Sequence, residues 1–312
     1  MNKKLIDIGS KLLILISFLF IGIKLKNFNI NLKEYINLEN IIMISLSSIL
    51  LIFSVIFLGI GWTKILKQIC NVDIEYNFTM PIYIKTNLAK YIPGNIMQFV
   101  GRNIIGNKYN IEQKKLALST AYELIMLSTI GIAIILLTNQ VQKIINFIPQ
   151  QYILIIIIGF TFLLICCMIL IRFKNISMNK TMVLEVANIF KVSIIPYLIA
   201  LIFMGLSFVI IMLTVYEYDV NFIIVINWIG VFILGWFVGF ITPGAPGGIG
   251  IREAVLIAYI SKLIPSEYIL EAVLIHRMVS VISDVILYVL HILFYGKVGM
   301  KDEECTTTRK LL

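Results

Sequence analysis

Apolar runs follow one another along the chain, and two stretches interrupt them in the same manner. Runs long enough to cross a bilayer as helices of about 20 residues occupy 41–62, 116–138, 152–171, 192–215, 222–242 and 272–295. A further run at 5–25 is long enough but carries Asp7, Lys11 and Lys24. It lacks a small-residue cleavage site of the A-x-A kind, so it reads as a retained first span. The first interruption, 85–102, contains Pro93-Gly94, and the second gathers Pro243, Gly244, Pro246, Gly247, Gly248 and Gly250. Such segments in corresponding positions of two halves point to a binding site in a membrane chain. Pro93 and Pro243 lie about half the chain length apart, and a span with a charge follows each, Glu123 after one and Arg277 after the other. The pattern suggests an internal repeat.

Local signals within the interruptions predict helix–break–helix elements. Thr79 suits a helix N-cap with Pro81 in the first turn, and Tyr83, Asn87 and Lys90 then share one face. Pro93-Gly94 ends that helix, Asn95 can cap the next, and Gln98 completes a capping-box-like pair. Gln98 and Arg102 are i, i+4 neighbours, and Gly106 offers a C-terminal stop. After the second interruption a helix restarts near residue 249 with Arg252 and Glu253 in its first turn, and breaks at Pro265. That is too short to cross, which leaves the side of the C-terminus open. The expected fold is all-α: a polytopic helical membrane protein of seven or eight spans plus two Pro-Gly broken, re-entrant elements. Residues 1–296 form one integral membrane domain and 297–312 a polar tail.

Composition agrees, with 60% hydrophobic and 14% charged residues and a mean hydropathy of +0.97. Soluble domains hold about 45–50% apolar and about 25% charged residues. The net charge of +9 is concentrated in alternate loops. Lys3 and Lys4 precede the first run, and Lys64, Lys67, Lys85, Lys90, Arg102, Lys108, Lys114 and Lys115 lie between the second and third. Arg172, Lys174, Lys180 and Lys191 lie between the fourth and fifth. The positive-inside rule then places the N-terminus and the 63–115 segment in the cytoplasm; the expected location is the plasma membrane of a prokaryote. No soluble domain collects these charges for nucleic acid. Cys70, Cys166, Cys167 and Cys305 show no metal-ligand spacing, so neither metal nor cofactor is expected.

A glycine-rich turn leading into a helix presents backbone N–H groups and a positive helix end to an anion. Gly247, Gly248 and Gly250 could supply the backbone, with Glu253 in the same turn and Arg252 as a bidentate phosphate grip. Lys90, Gly94, Asn95, Gln98 and Arg102 repeat the arrangement more weakly. Close helix packing by small residues is the structural alternative. On the last run Arg277, Ser280, Asp284, Tyr288 and His291 recur at steps of 3, 4, 4 and 3, one stripe down a helix. Charges at mid-bilayer are costly, so Arg277 should meet Glu123 or Asp284, either as a structural pair or as a polar path formed by Glu123, Arg277, Ser280 and Asp284. His291 is expected at the interface.

The residues Lys90-Tyr91-Ile92-Pro93-Gly94 and Pro246-Gly247-Gly248-Ile249-Gly250-Ile251-Arg252-Glu253-Ala254, in this order with a charged span after each, resemble the lysylphosphatidylglycerol synthase transmembrane (flippase-like) family. The resemblance extends over nearly the whole chain. It implies a lipid flippase-like membrane domain, which in the best-known members is fused to a soluble aminoacyl-transfer domain. Only 17 residues follow Tyr295, so a stand-alone member is expected. Where the family has Arg after the acidic residue matched to Glu123, Leu124 stands here. The implied function is movement of an anionic phospholipid or polyprenyl-phosphate-linked lipid between leaflets. The alternatives are the membrane part of a phosphatidylglycerol lysyltransferase-type modification, or a scaffold for a partner glycosyltransferase or lipid synthase. No catalytic residue is assigned: Gly-x-Ser-x-Gly, His-Glu-x-x-His and paired acid/base carboxylates are missing from the sequence. The oligomeric state is left open.

Overall fold

Inside hydrocarbon a backbone must satisfy its own hydrogen bonds, which leaves the helix as the form for an apolar segment. The computed structural model of the chain describes residues 37–91, 96–108, 110–138, 180–217, 219–242 and 250–295, and among them it is all-helical. Helix α1 spans Leu38–Cys70, α2 Tyr76–Asn87, α3 Met97–Lys108, α4 Gln113–Leu137 and α5 Lys180–Val215. Helix α6 spans Phe222–Ile241, α7 Ile251–Ile260 and α8 Ser266–Tyr295. Five of these, α1, α4, α5, α6 and α8, are long and apolar enough to cross a membrane. The runs expected at 5–25 and 152–171, and the tail, lie outside the described residues.

The framework is the antiparallel pair of α1 and α5, locked along its length by small residues. Ser47 Oγ donates to the Ser207 carbonyl at 3.1 Å and Ser54 Oγ to that of Ala200 at 2.8 Å. Further along, Gly61 lies against the buried ring of Tyr197. Small residues let helices approach where lipid tails give no hydrophobic drive for association. Helix α8 packs across the pair. Ser48 and Ser283 share a hydroxyl hydrogen bond of 2.8 Å, and His276 Nε2 lies 2.9 Å from Ser207 Oγ. Helix α6 closes the core, with Phe232 stacked on Phe208 at 4.7 Å.

The remaining helices are short. Helices α2 and α3 hold 12 residues each and α7 holds 10, roughly 15–18 Å of rise against about 30 Å of hydrocarbon. A single 3-10 turn, Leu88–Tyr91, continues α2. The first interruption therefore joins two short helices, α2 and α3, and the second leads into a single short one, α7, all set among long helices.

Several local expectations change. Helix α2 begins at Tyr76 after Glu75, so Thr79 and Pro81 sit inside it. Thr79 is pulled inward by a 2.7 Å hydrogen bond to Thr63 of α1 rather than acting as a cap. Gly106 does not stop α3, which runs on to Lys108. It gives room to Leu116, whose Cδ2 would lie 2.7 Å from an added Cβ. Lys64, Lys67, Lys180 and Lys191 belong to α1 and α5 rather than to loops, because the paired helices continue beyond one hydrocarbon thickness. His291, near the end of α8, is buried against the protein.

The closeness of α1 and α5 sets a test. A Cβ on Gly61 would come within 2.7 Å of Tyr197 Cε2, and that ring is fully buried. Gly61→Val should destabilise by about 1–3 kcal/mol, the usual range for overpacking. Thermal unfolding in detergent should show it, with part of the loss recovered when Tyr197→Leu is added.

Candidate functional site

The face predicted for α2 is where the buried charges are collected. Tyr83, Asn87 and Lys90 do point one way, and Tyr91, at i+8 from Tyr83, extends the row. Tyr83 Oη donates to Glu123 Oε1 at 2.9 Å, and one turn on Asn87 Nδ2 donates to Asp284 Oδ1 at 2.8 Å. Lys90 Nζ reaches Asp284 Oδ2 at 2.7 Å. Tyr91 Oη donates to the same carboxylate and lies 3.2 Å from Ser280 Oγ. One short helix thus holds carboxylates from two long ones, α4 and α8.

Around Tyr83 the partner is Arg102 of α3, which pairs with Glu123. Both side chains are nearly inaccessible, at 3% and 1%. The Arg102 guanidinium also lies over the rings of Tyr83 at 4.3 Å, Phe99 at 5.0 Å and Trp62 at 5.6 Å. Cation–π attraction is strongest where the cation is desolvated. Trp62 is fixed in turn by its Nε1–H bond to Ser119 Oγ at 3.0 Å. These contacts engage Arg102 within the protein, with Glu123 and three rings.

The second broken element makes the corresponding contact with reversed sign. Gly250, at φ +84°, leads into α7 in a conformation that side-chain-bearing residues rarely adopt. Its N–H is bonded by Glu253 Oε2 at 2.7 Å, so this amide, expected to face an anion, is already used. The other oxygen, Oε1, meets Arg277 Nη2 of α8 at 2.9 Å. In each element, then, the short helix after the break sends a charge to the next long helix: Arg102 to Glu123 and Glu253 to Arg277.

The expected pairing of Arg277 with Glu123 or Asp284 is therefore corrected. Glu123 is taken by Arg102 and Asp284 by Lys90, while Arg277 takes Glu253. Spacing on α8 could not show this, because all three partners come from short helices whose placement depends on the fold. The polar path consequently divides in two. Arg277, Ser280 and Asp284 form a strip with Glu253, Lys90 and Tyr91, and Glu123 belongs to the separate Arg102 pair. Gln98 is half-buried in the first turn of α3. Gly94, Asn95, Gly247 and Gly248 lie outside the described residues.

Arg252 completes the strip and differs from the other charges. Its neighbour Glu253 has both oxygens engaged, by Gly250 and Arg277. Among the described residues no carboxylate lies within ion-pair distance of Arg252. Its contact is the Phe232 ring, 5.9 Å from the guanidinium carbon, and its Nε–H is buried without an acceptor. Burial, and then the charge of Arg277, lower its pKa to about 10, which leaves it cationic at neutral pH. The strip therefore holds three cations, Lys90, Arg252 and Arg277, against two carboxylates. Lys90, 30% accessible, is its more open end. Tyr91 and Asn87 had no charge to mark them in the sequence; the i, i+4, i+8 row through Tyr83 was their one signal.

No family model, no curated protein and no solved structure matches the chain.

The pairing can be checked by double-mutant cycles on folded stability. Groups in contact couple and distant ones add, so Arg277→Gln should couple to Glu253→Gln and be additive with Glu123→Gln. Glu123→Gln alone should cost about 3–5 kcal/mol, as breaking a buried pair does, with the loss reduced in the Arg102→Gln, Glu123→Gln double variant.

Proposed function

We propose that the chain binds the phosphate of an anionic lipid, phospholipid or polyprenyl-phosphate-linked, and moves it between leaflets. The observation that carries this reading is the unpaired cation. Arg252 is half-buried, with its Nε–H buried and unbonded, and it has no carboxylate partner among the described residues, in a strip whose other charges are paired. An uncompensated charge away from water is costly, and an anionic headgroup would offset that cost. A planar guanidinium can take a phosphate bidentately, and Lys90, paired with Asp284 at the open end, adds positive charge nearby.

The surroundings suit a lipid better than a soluble anion. The strip is flanked by helices of spanning length. In this reading both broken elements are re-entrant, because irregular backbone at membrane depth is tolerated where protein or a water-filled cavity satisfies it. The headgroup would follow the Arg277–Ser280–Asp284 face of α8 while the chains remain in the bilayer. The basic end of the long helices would face the cytoplasm. Two motifs resembling the lysylphosphatidylglycerol synthase transmembrane family agree with lipid handling. The site has charges and hydroxyls to hold a headgroup, and the reading assigns no nucleophile.

Reconstituted vesicles containing a labelled anionic phospholipid or polyprenyl-phosphate lipid test the proposal. The protein should accelerate label exchange between leaflets without altering the lipid. Arg252→Ala should slow exchange about tenfold or more, since a hydrogen bond to a charged group is worth about 1.5–3 kcal/mol. Exchange at the wild-type rate in a folded Arg252→Ala protein would rule out the assigned phosphate contact. A chemically changed lipid would point to an enzyme.

A further inference from the structure

A second group of cations lies on the outside of the α1–α5 pair and takes no part in the strip. Lys64, Lys67 and Gln68 of α1 and Lys191, Val192 and Ile195 of α5 line a groove of about 300 Å³. Lys67 is held by Asp73 at 2.6 Å and lies over the Tyr76 ring at 4.8 Å. Lys64 and Lys191 have no carboxylate within ion-pair reach among the described residues. The groove thus holds two uncompensated charges contributed by two helices.

Helix length fixes the depth of this groove. The polar start of α1, Asn37 to Asn40, and the end of α5 at Val215 lie at the same end of the antiparallel pair. One hydrocarbon thickness, about 30 Å or about 20 helical residues, ends near Gly61 on α1 and near Ile195 on α5. Lys64 and Lys191 come one turn later, at the level of lipid headgroups. Just inside that level α5 exposes Ile194, Ile195 and Leu198. Cations at headgroup depth therefore sit directly above an exposed apolar track, the arrangement an anionic lipid would match with its phosphate and its chains.

We propose that this groove binds an anionic glycerophospholipid of the surrounding leaflet, its phosphate between Lys64 and Lys191 and an acyl chain along Ile194, Ile195 and Leu198. A basic pocket between helix ends suits such headgroups. The groove shares no residue with the Arg252 strip, so the assignment does not rest on the transport reading. Its chemistry would also accept free phosphate, but only a lipid would use the apolar track.

The test is a native mass-spectrometry titration of the full chain in detergent. An Arg252→Ala background removes the other proposed phosphate site. Phosphatidylglycerol should bind, phosphatidylcholine should not, and inorganic phosphate should not displace it. Lys64→Gln with Lys191→Gln should weaken phosphatidylglycerol binding about 25-fold, at about fivefold per lysine near an anionic surface. Lys64→Arg with Lys191→Arg should retain it. In the unmutated protein, phosphatidylglycerol should shield Lys64 and Lys191 from amine acylation. Equal affinity in the Gln variant, equal binding of phosphatidylcholine, or unshielded lysines would overturn the assignment. Displacement by inorganic phosphate would make the groove a soluble-anion site instead.

Discussion

The cost of holding charge away from water governs how these helices meet. An ion buried without a partner is expensive enough that a fold has to supply the partner, often from a distant part of the chain. Among the described residues three pairs meet that demand: Arg102 with Glu123, Lys90 with Asp284, and Arg277 with Glu253. Every one joins a short element to a long helix. Helices α2, α3 and α7 could not span a bilayer, and these pairs, together with apolar packing, fix where they sit. Stability and site geometry thus depend on the same contacts.

The two broken elements follow a common plan with opposite sign. After the first break a cation on the short helix seeks a carboxylate on the next long helix; after the second a carboxylate seeks a cation. The second arrangement brings Arg252 in beside Glu253 without a carboxylate of its own among the described residues. In the first, Arg102 has a carboxylate and three rings. Lys67 is likewise held by Asp73, whereas Lys64 and Lys191 have no carboxylate within ion-pair reach among the described residues.

Much of the framework could be read directly from the chain. The described helices of spanning length correspond to the runs at 41–62, 116–138, 192–215, 222–242 and 272–295 to within two residues at their C-terminal ends or extend beyond them, because length and hydropathy are properties of a segment alone. The polar face of α2 could be read for the same reason: a 3.6-residue period decides which residues share a face. The stripe of Arg277, Ser280 and Asp284 on α8 was legible on identical grounds. Boundaries were less so. Thr79 resembles a cap in isolation, yet Thr63 draws it into the middle of a helix, and Gly106 resembles a stop until Leu116 fills the space beside it.

Partnership was decided by the tertiary structure. The sequence by itself determined that Glu123, Asp284 and Arg277 would need partners, since apolar surroundings make an isolated charge too costly. It could not decide which, because three carboxylates and four cations of suitable reach admit several pairings. Only the packing of α2, α3 and α7 among the long helices selected one. That packing depends on close contacts between residues far apart in the chain, such as Ser54 with Ala200 and Ser48 with Ser283, and periodicity within a single segment carries no record of them.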